Sequence, residues 1–204
     1  MRLKPFLGMT LVALLACSVT QVFAQTAPAA SENNFPLAVG GGLSSYTPDW
    51  AQGRMLGVAG WVDYTPNHVP FFLRGFGIEA EARDLNFGRA SHIPKPLVEK
   101  TAGGGLIYTS RRYRNFHPYG KFLESYGSIT WDNAPAKYRH DTRTVTSAGG
   151  GFEVHAYRRV WVRADYEYQF WPHFLGKTLD PSGFTLGATY HFGRLGGARY
   201  SAAY

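Results

Sequence analysis

The sequence predicts an all-β chain, an eight-stranded antiparallel up-and-down transmembrane β-barrel, on three observations. Segments of period-two alternation recur from residue 35 to residue 192, and none carries a convincing 3.6-residue stripe. Longer and shorter connections alternate between them, as in a meander whose loops sit at two ends. The polar face of the alternation is rich in Gly and in charges of both signs, whereas the apolar face carries large aromatics. The stretch "RADYEYQF" (163–170) shows the division, with Arg163, Asp165, Glu167 and Gln169 on one side and Ala164, Tyr166, Tyr168 and Phe170 on the other.

Composition narrows the class. Aromatics make up 16% of the 204 residues and charged residues 17%, against roughly 25% charged in an average soluble domain. No stretch beyond the first 25 residues is apolar over the roughly 20 positions that a spanning helix needs. Mean hydropathy is slightly negative. A helical membrane protein is thereby excluded, but a strand-based one is not, because alternation averages its hydropathy away. The bilayer core has no water to satisfy backbone groups, so spanning strands must close into a ring. A ring of eight is just wide enough for side chains to fill, so a continuous water channel is not the default.

Taken in order, the N-terminus reads as an export signal. Arg2 and Lys4 precede the apolar "PFLGMTLVALLA", and "VFAQ" offers cleavage after Ala24, which makes 1–24 a signal peptide. A competing reading is "LLAC", a lipoprotein-like box ending at Cys17. Residues 25–34 form a flexible leader. Cleavage after Ala24 removes the single Cys and leaves a chain stabilised by hydrogen bonding and burial alone. The eight strands fall at about 35–45, 54–63, 71–84, 98–110, 118–130, 143–156, 160–170 and 183–192, which makes 35–192 the barrel domain and 193–204 a C-terminal tail.

Strand two sets Leu56, Val58, Gly60 and Val62 against Gly57, Ala59, Trp61 and Asp63. Strand three sets Phe76, Ile78, Ala80 and Ala82 against Glu79, Glu81 and Arg83, and strand six sets Ala148, Gly150, Phe152 and Val154 against Ser147, Gly149, Gly151, Glu153 and His155. Strand eight sets Phe184, Leu186, Ala188, Tyr190 and Phe192 against Thr185, Gly187, Thr189 and His191. Strand five, "YGKFLESYGSI", is the least regular, and Glu124 is assigned to its polar side. A soluble lipocalin-like barrel would turn the apolar faces inward. Three features favour the inverted arrangement: aromatics near strand ends (Tyr64, Tyr108, Tyr168, Phe170, Tyr190, Phe192), Gly-rich polar faces, and opposite charges at comparable depth. Charges enclosed in a narrow barrel must pair. The expected interior network is Glu79, Glu81, Arg83, Glu124, Glu153, His155, Arg163, Asp165, Glu167 and His191.

Other chemistry is weakly supported. The Gly triplets are not followed by Lys-Ser/Thr and lie inside strands, so they are not a phosphate loop. They let a small barrel curve or make room for inward aromatics such as Trp61. No His pair has a metal-ligand spacing within one strand; His68, His92, His117, His140 and His173 fall in connections. The inward carboxylates are read as partners of Arg83 and Arg163 rather than acid/base catalysts, so no enzyme, cofactor or metal is expected. The formal charge of +7 is dispersed, densest at "SRRYRNFHP" and "YRRV". These runs read as basic turns near anionic head groups, and no nucleic-acid partner is implied. The connections carry Trp50, Trp131, Tyr138, Trp171 and Phe174, which either bind a surface ligand or anchor the outer interface.

From 35 to 192 the chain resembles the small outer-membrane β-barrel family, the group that includes the transmembrane domain of outer-membrane protein A and the opacity-type proteins. The resemblance rests on the signal peptide, on "VGGGL" (39–43), "AGGGL" (102–106) and "AGGGF" (148–152), and on the last strand, "TLGATYHF" (185–192). Gly187, Tyr190 and Phe192 there are similar to the signal that such proteins present to the barrel-assembly machinery. The family usually ends at that Phe, whereas "GRLGGARYSAAY" follows here. The resemblance implies the outer membrane of a Gram-negative-type bacterium, with membrane lipid and lipopolysaccharide as surroundings. The functional expectation is a plugged, non-enzymatic barrel serving envelope structure or surface contact through its loops. A narrow pore for ions or small solutes is the alternative.

Overall fold

The computed structural model describes residues 36–49, 53–66, 69–86, 97–110, 115–131, 140–174 and 177–192. Nine strands are seen there: β1 (Leu37–Thr47), β2 (Met55–Tyr64), β3 (Phe76–Leu85), β4 (Leu97–Thr109), β5 (Phe116–Trp131), β6 (His140–Tyr157), β7 (Val160–Phe174), the short β8 (Lys177–Leu179) and β9 (Ser182–His191). Each of β1 to β7 pairs antiparallel with its successor, β9 pairs with both β7 and β1, and the ring is closed. β8 only extends the last hairpin against the end of β7. The result is a closed eight-stranded antiparallel barrel with no free edge, which is the condition for strands in a bilayer.

Burial settles which face points in. Leu43 is 64% exposed and Ile78 57%, while Arg163 and Glu167 are each 1% exposed. The apolar sides of β2, β3, β7 and β9 face outward and the charged sides line the interior. This overturns the lipocalin-like arrangement. Near the end that holds Leu37 and His191, outward aromatics meet in pairs, with Phe76–Tyr108 centroids 4.9 Å apart and Tyr190–Phe192 5.0 Å apart. Rings at that level form one wall of the girdle that membrane interfaces favour.

Two expectations about the elements are corrected. Residues 71–75 do not belong to the third strand: Phe71–Leu73 form a single 3₁₀ turn, and the strand starts at Phe76 after Gly75, whose φ of +94° breaks extended backbone. The second connection, 65–75, is therefore as long as the third, 86–96. Of the residues expected in connections, His117 and Trp131 lie within β5, His140 within β6, and Trp171, His173 and Phe174 within β7, where Trp171 is fully buried. The signal peptide, leader and tail, and Trp50, His68, His92 and Tyr138, lie outside the described residues.

The distal end, opposite Leu37 and His191, reverses the pattern. There the inward side chains are mostly apolar: Tyr46, Met55, Leu85, Ile129, Val145, Trp171 and Leu179 form one buried cluster, with the buried Glu99 in register between Leu85 and Ile129. On β5 and β6 the outward face at this level carries Glu124, Ser128 and Thr130 opposite Thr146, Thr142 and His140. Lys100 pairs with Asp84 at 3.3 Å on the same outer face. β5 and β6, the two longest strands, carry this hairpin beyond the apolar belt.

Candidate functional site

The interior is filled in three layers. At its centre three cations meet a ring of carboxylates. Lys121 on β5 reaches Glu81 at 2.6 Å, Glu167 at 2.9 Å, Glu79 at 3.4 Å and Asp165 at 3.5 Å. Arg83 donates through both terminal nitrogens to Glu167, at 2.9 and 3.1 Å, and also to Glu81. Its guanidinium stacks 4.4 Å from the Tyr46 ring centroid. Arg163 donates to Glu79 at 2.6 Å, to Asp63 at 3.0 Å and to the Tyr119 hydroxyl at 2.7 Å, and that hydroxyl donates to Asp165 at 2.7 Å. Its guanidinium carbon is 4.7 Å from the Trp61 ring centroid and 4.5 Å from that of Tyr119. A buried charge left alone here would carry a desolvation penalty of several kcal/mol, about what close pairing has to offset.

The glycines make this packing possible. In register, Gly103 faces Glu81 and Ser125, Gly105 faces Glu79 and Leu123, Gly149 faces Lys121 and Glu167, and Gly151 faces Tyr119 and Asp165. A Cβ on Gly40 or Gly187 would overlap the Trp61 indole, and one on Gly127 would overlap Trp171. Small residues on one strand thus give volume to long ones on the next.

Above the charges lies the apolar cluster that ends in Trp171. The two layers are tied together, because the Trp171 indole N–H donates to Gln169 at 2.9 Å and Gln169 donates to Glu167 at 3.2 Å. Below them, toward Leu37, Trp161 is ringed by His117, stacked at 4.4 Å, and by His155 and His191 at 5.1 and 5.7 Å. His191 meets Glu153 at 3.2 Å.

Of the ten residues expected in the network, Glu79, Glu81, Arg83, Arg163, Asp165 and Glu167 are brought together at the centre, and Glu153 with His191 forms a separate pair near the terminal end. Two assignments are corrected. Glu124 points outward and accepts from the Thr146 hydroxyl at 2.9 Å, because alternation on β5 places Leu123 and Ser125 inside. His155 is exposed at the rim, where its Nε2 bonds the Arg158 carbonyl at 2.9 Å. Sequence reasoning missed Lys121, Tyr119 and Glu99, all buried inside. Gly149 and Glu81 were read as inward from alternation, but it is the β5–β6 register, which pairs Gly149 with Lys121, that fixes the inward side of β5. Gly187, Tyr190 and Phe192 sit on or just after β9, with the Phe192 amide donating to the Leu37 carbonyl at 3.0 Å at the closing seam. Among the described residues no cluster of His, Cys, Asp and Glu has the arrangement of a metal site.

Comparison with known proteins agrees with this architecture. Neisserial surface protein A superposes with a TM-score of 0.57 at 12% identity, over 76% of this chain and 96% of its own. OprG of Pseudomonas aeruginosa gives 0.48 at 11% identity, over 77% and 95%, and Ail of Yersinia pestis, solved with the heparin analogue sucrose octasulfate, gives 0.46 at 15% identity, over 76% and 95%. No curated protein sequence matches. The profile of the outer membrane protein beta-barrel domain matches residues 9–192, and the chain belongs to that family of bacterial outer-membrane barrels.

Proposed function

We propose that this chain is a sealed, non-enzymatic barrel whose work is done at its surface, in envelope structure and in contacts made by the distal connections. The observation that carries this reading is the doubly filled interior: an ion network, and above it an apolar cluster containing Trp171 at 0% exposure. On this reading 1–24 is removed after Ala24, 25–34 is a leader, and 193–204 hangs in the periplasm. Gly187, Tyr190 and Phe192 are presented to the assembly machinery. Conductance across planar bilayers tests the seal. The wild type passes no current, and Lys121→Ser or Trp171→Ala alone does not open it, because each leaves the other layer in place. The Trp161 layer still blocks the double variant, and only the triple variant with Trp161→Ala added conducts. Steady current through the wild type would replace this reading with the narrow pore.

A second reading of the interior follows from its charge. Seven buried carboxylates (Asp63, Glu79, Glu81, Glu99, Glu153, Asp165, Glu167) share the interior with only three buried cations, Arg83, Lys121 and Arg163. A path opened through this lumen selects cations over anions, because fixed negative charge concentrates them. Reversal potentials across a salt gradient read the sign.

A further inference from the structure

The outward face changes from apolar to polar toward the distal end, and one depression lies on that change. The registers of β7, β9, β1 and β2 set two outward rows side by side. The lower row runs Tyr166, Phe184, Ser45, Leu56, and the upper row runs Tyr168, Ser182, Thr47. Arg54, immediately before β2, completes the upper row. Beneath them the face is Leu43, Val58 and Leu186, all exposed. The small side chains of Ser45, Thr47 and Ser182 stand between the rings of Tyr166 and Phe184 and the Arg54 head, and leave a cavity of about 130 Å³. Arg54 makes no ion pair with another described residue.

We propose that this depression binds the phosphate of an outer-leaflet glycolipid. The guanidinium fork suits a phosphate in two parallel N–H bonds. The three hydroxyls stand as further donors, and the two rings lie where the first carbons of an acyl chain descend onto the apolar belt. Depth selects the ligand: an outward face that turns from Leu and Val to Ser, Thr and Arg lies at head-group level. Just above, Asp49 accepts from the Asp180 amide at 2.9 Å, and Tyr168 donates to the Asp180 carboxylate. These two carboxylates disfavour a free anion, so the phosphate has to be held from below by its own chains. The site rests on the distal end facing outward, which follows from termini in the periplasm, and is independent of whether the lumen conducts.

The test uses the full-length mature protein in phosphatidylcholine nanodiscs, with binding read by native mass spectrometry. The probes are bisphosphorylated lipid A, dephosphorylated lipid A, phosphatidylglycerol and inorganic phosphate. Lipid A is expected to bind saturably, and Arg54→Gln to weaken it about tenfold, the size of one charge-assisted contact. Ser182→Leu, which fills the cavity, causes a similar loss, while Lys100→Gln, a cation elsewhere on the outer face, causes none. A heat-induced mobility shift verifies that each variant is folded; if Arg54→Gln is not, Ser182→Leu decides alone. Equal binding by wild type and the cavity variants overturns the site, as does equal binding of dephosphorylated lipid A. An equal loss in Lys100→Gln reduces it to diffuse charge. Phosphatidylglycerol binding as tightly as lipid A overturns the glycolipid assignment, and displacement by inorganic phosphate overturns the lipid source.

Discussion

The same strands build two cylinders of opposite construction. In the half nearer the termini, Leu43, Ile78 and Leu106 face out while Glu79, Arg83 and Lys121 face in. In the distal half, Glu124, Thr142 and Thr144 face out while Leu85, Val145 and Trp171 face in. The second arrangement is that of a barrel in water. Backbone pairing continues unbroken from one to the other on β5 and β6, so strand formation does not determine which side is apolar. The medium outside does, and the point of reversal marks where hydrocarbon ends.

This contrast ranks the effects of substitution. Lys121→Met removes the cation shared by four buried carboxylates, leaving them to Arg83 and Arg163 alone, and is expected to cost about 3–5 kcal/mol, read as a fall in urea stability in vesicles. A loss below about 1 kcal/mol would show that the network behaves like a wet surface cluster. Leu106→Arg places a charge on the lipid side of the terminal half and costs about 2–4 kcal/mol. Leu85→Ala opens a void in the distal cluster and costs about 2–3 kcal/mol. The smallest effect belongs to Glu124→Leu, within about 0.5 kcal/mol; a gain of several times that would place Glu124 in hydrocarbon and move the boundary.

Legibility followed the same boundary. β2, β3 and β9 lie largely within the apolar belt, and their faces were readable from alternation alone. β5 crosses the boundary, so Phe122 is followed on the same face by Glu124, and Leu123 on the other face by Ser125. A single polar-in rule applied to that strand sent Glu124 inside and overlooked Lys121. Trp171 was misplaced because it opens the turn-like stretch "WPHFLGKTLDPS", yet it belongs to the distal cluster. His155 keeps inward parity, yet sits at the rim, where parity no longer means enclosure. The side-chain pairings were not legible, because they join strands distant in sequence.

That distance constrains how the molecule is made. Arg83 meets Glu167 across 84 positions, and Arg163 meets Asp63 across 100. Lys121 on β5 can meet Glu79 and Glu81 on β3 early, but until β7 arrives Asp63 lacks Arg163 and Arg83 lacks Glu167, and an incomplete sheet pushed into lipid would carry those charges with it. Insertion and ring closure are therefore one kinetic event, gated by loop closures that are among the slowest in folding. A chain that stops at Tyr157 yields no half-assembled membrane species, only aggregate or a substrate for proteolysis.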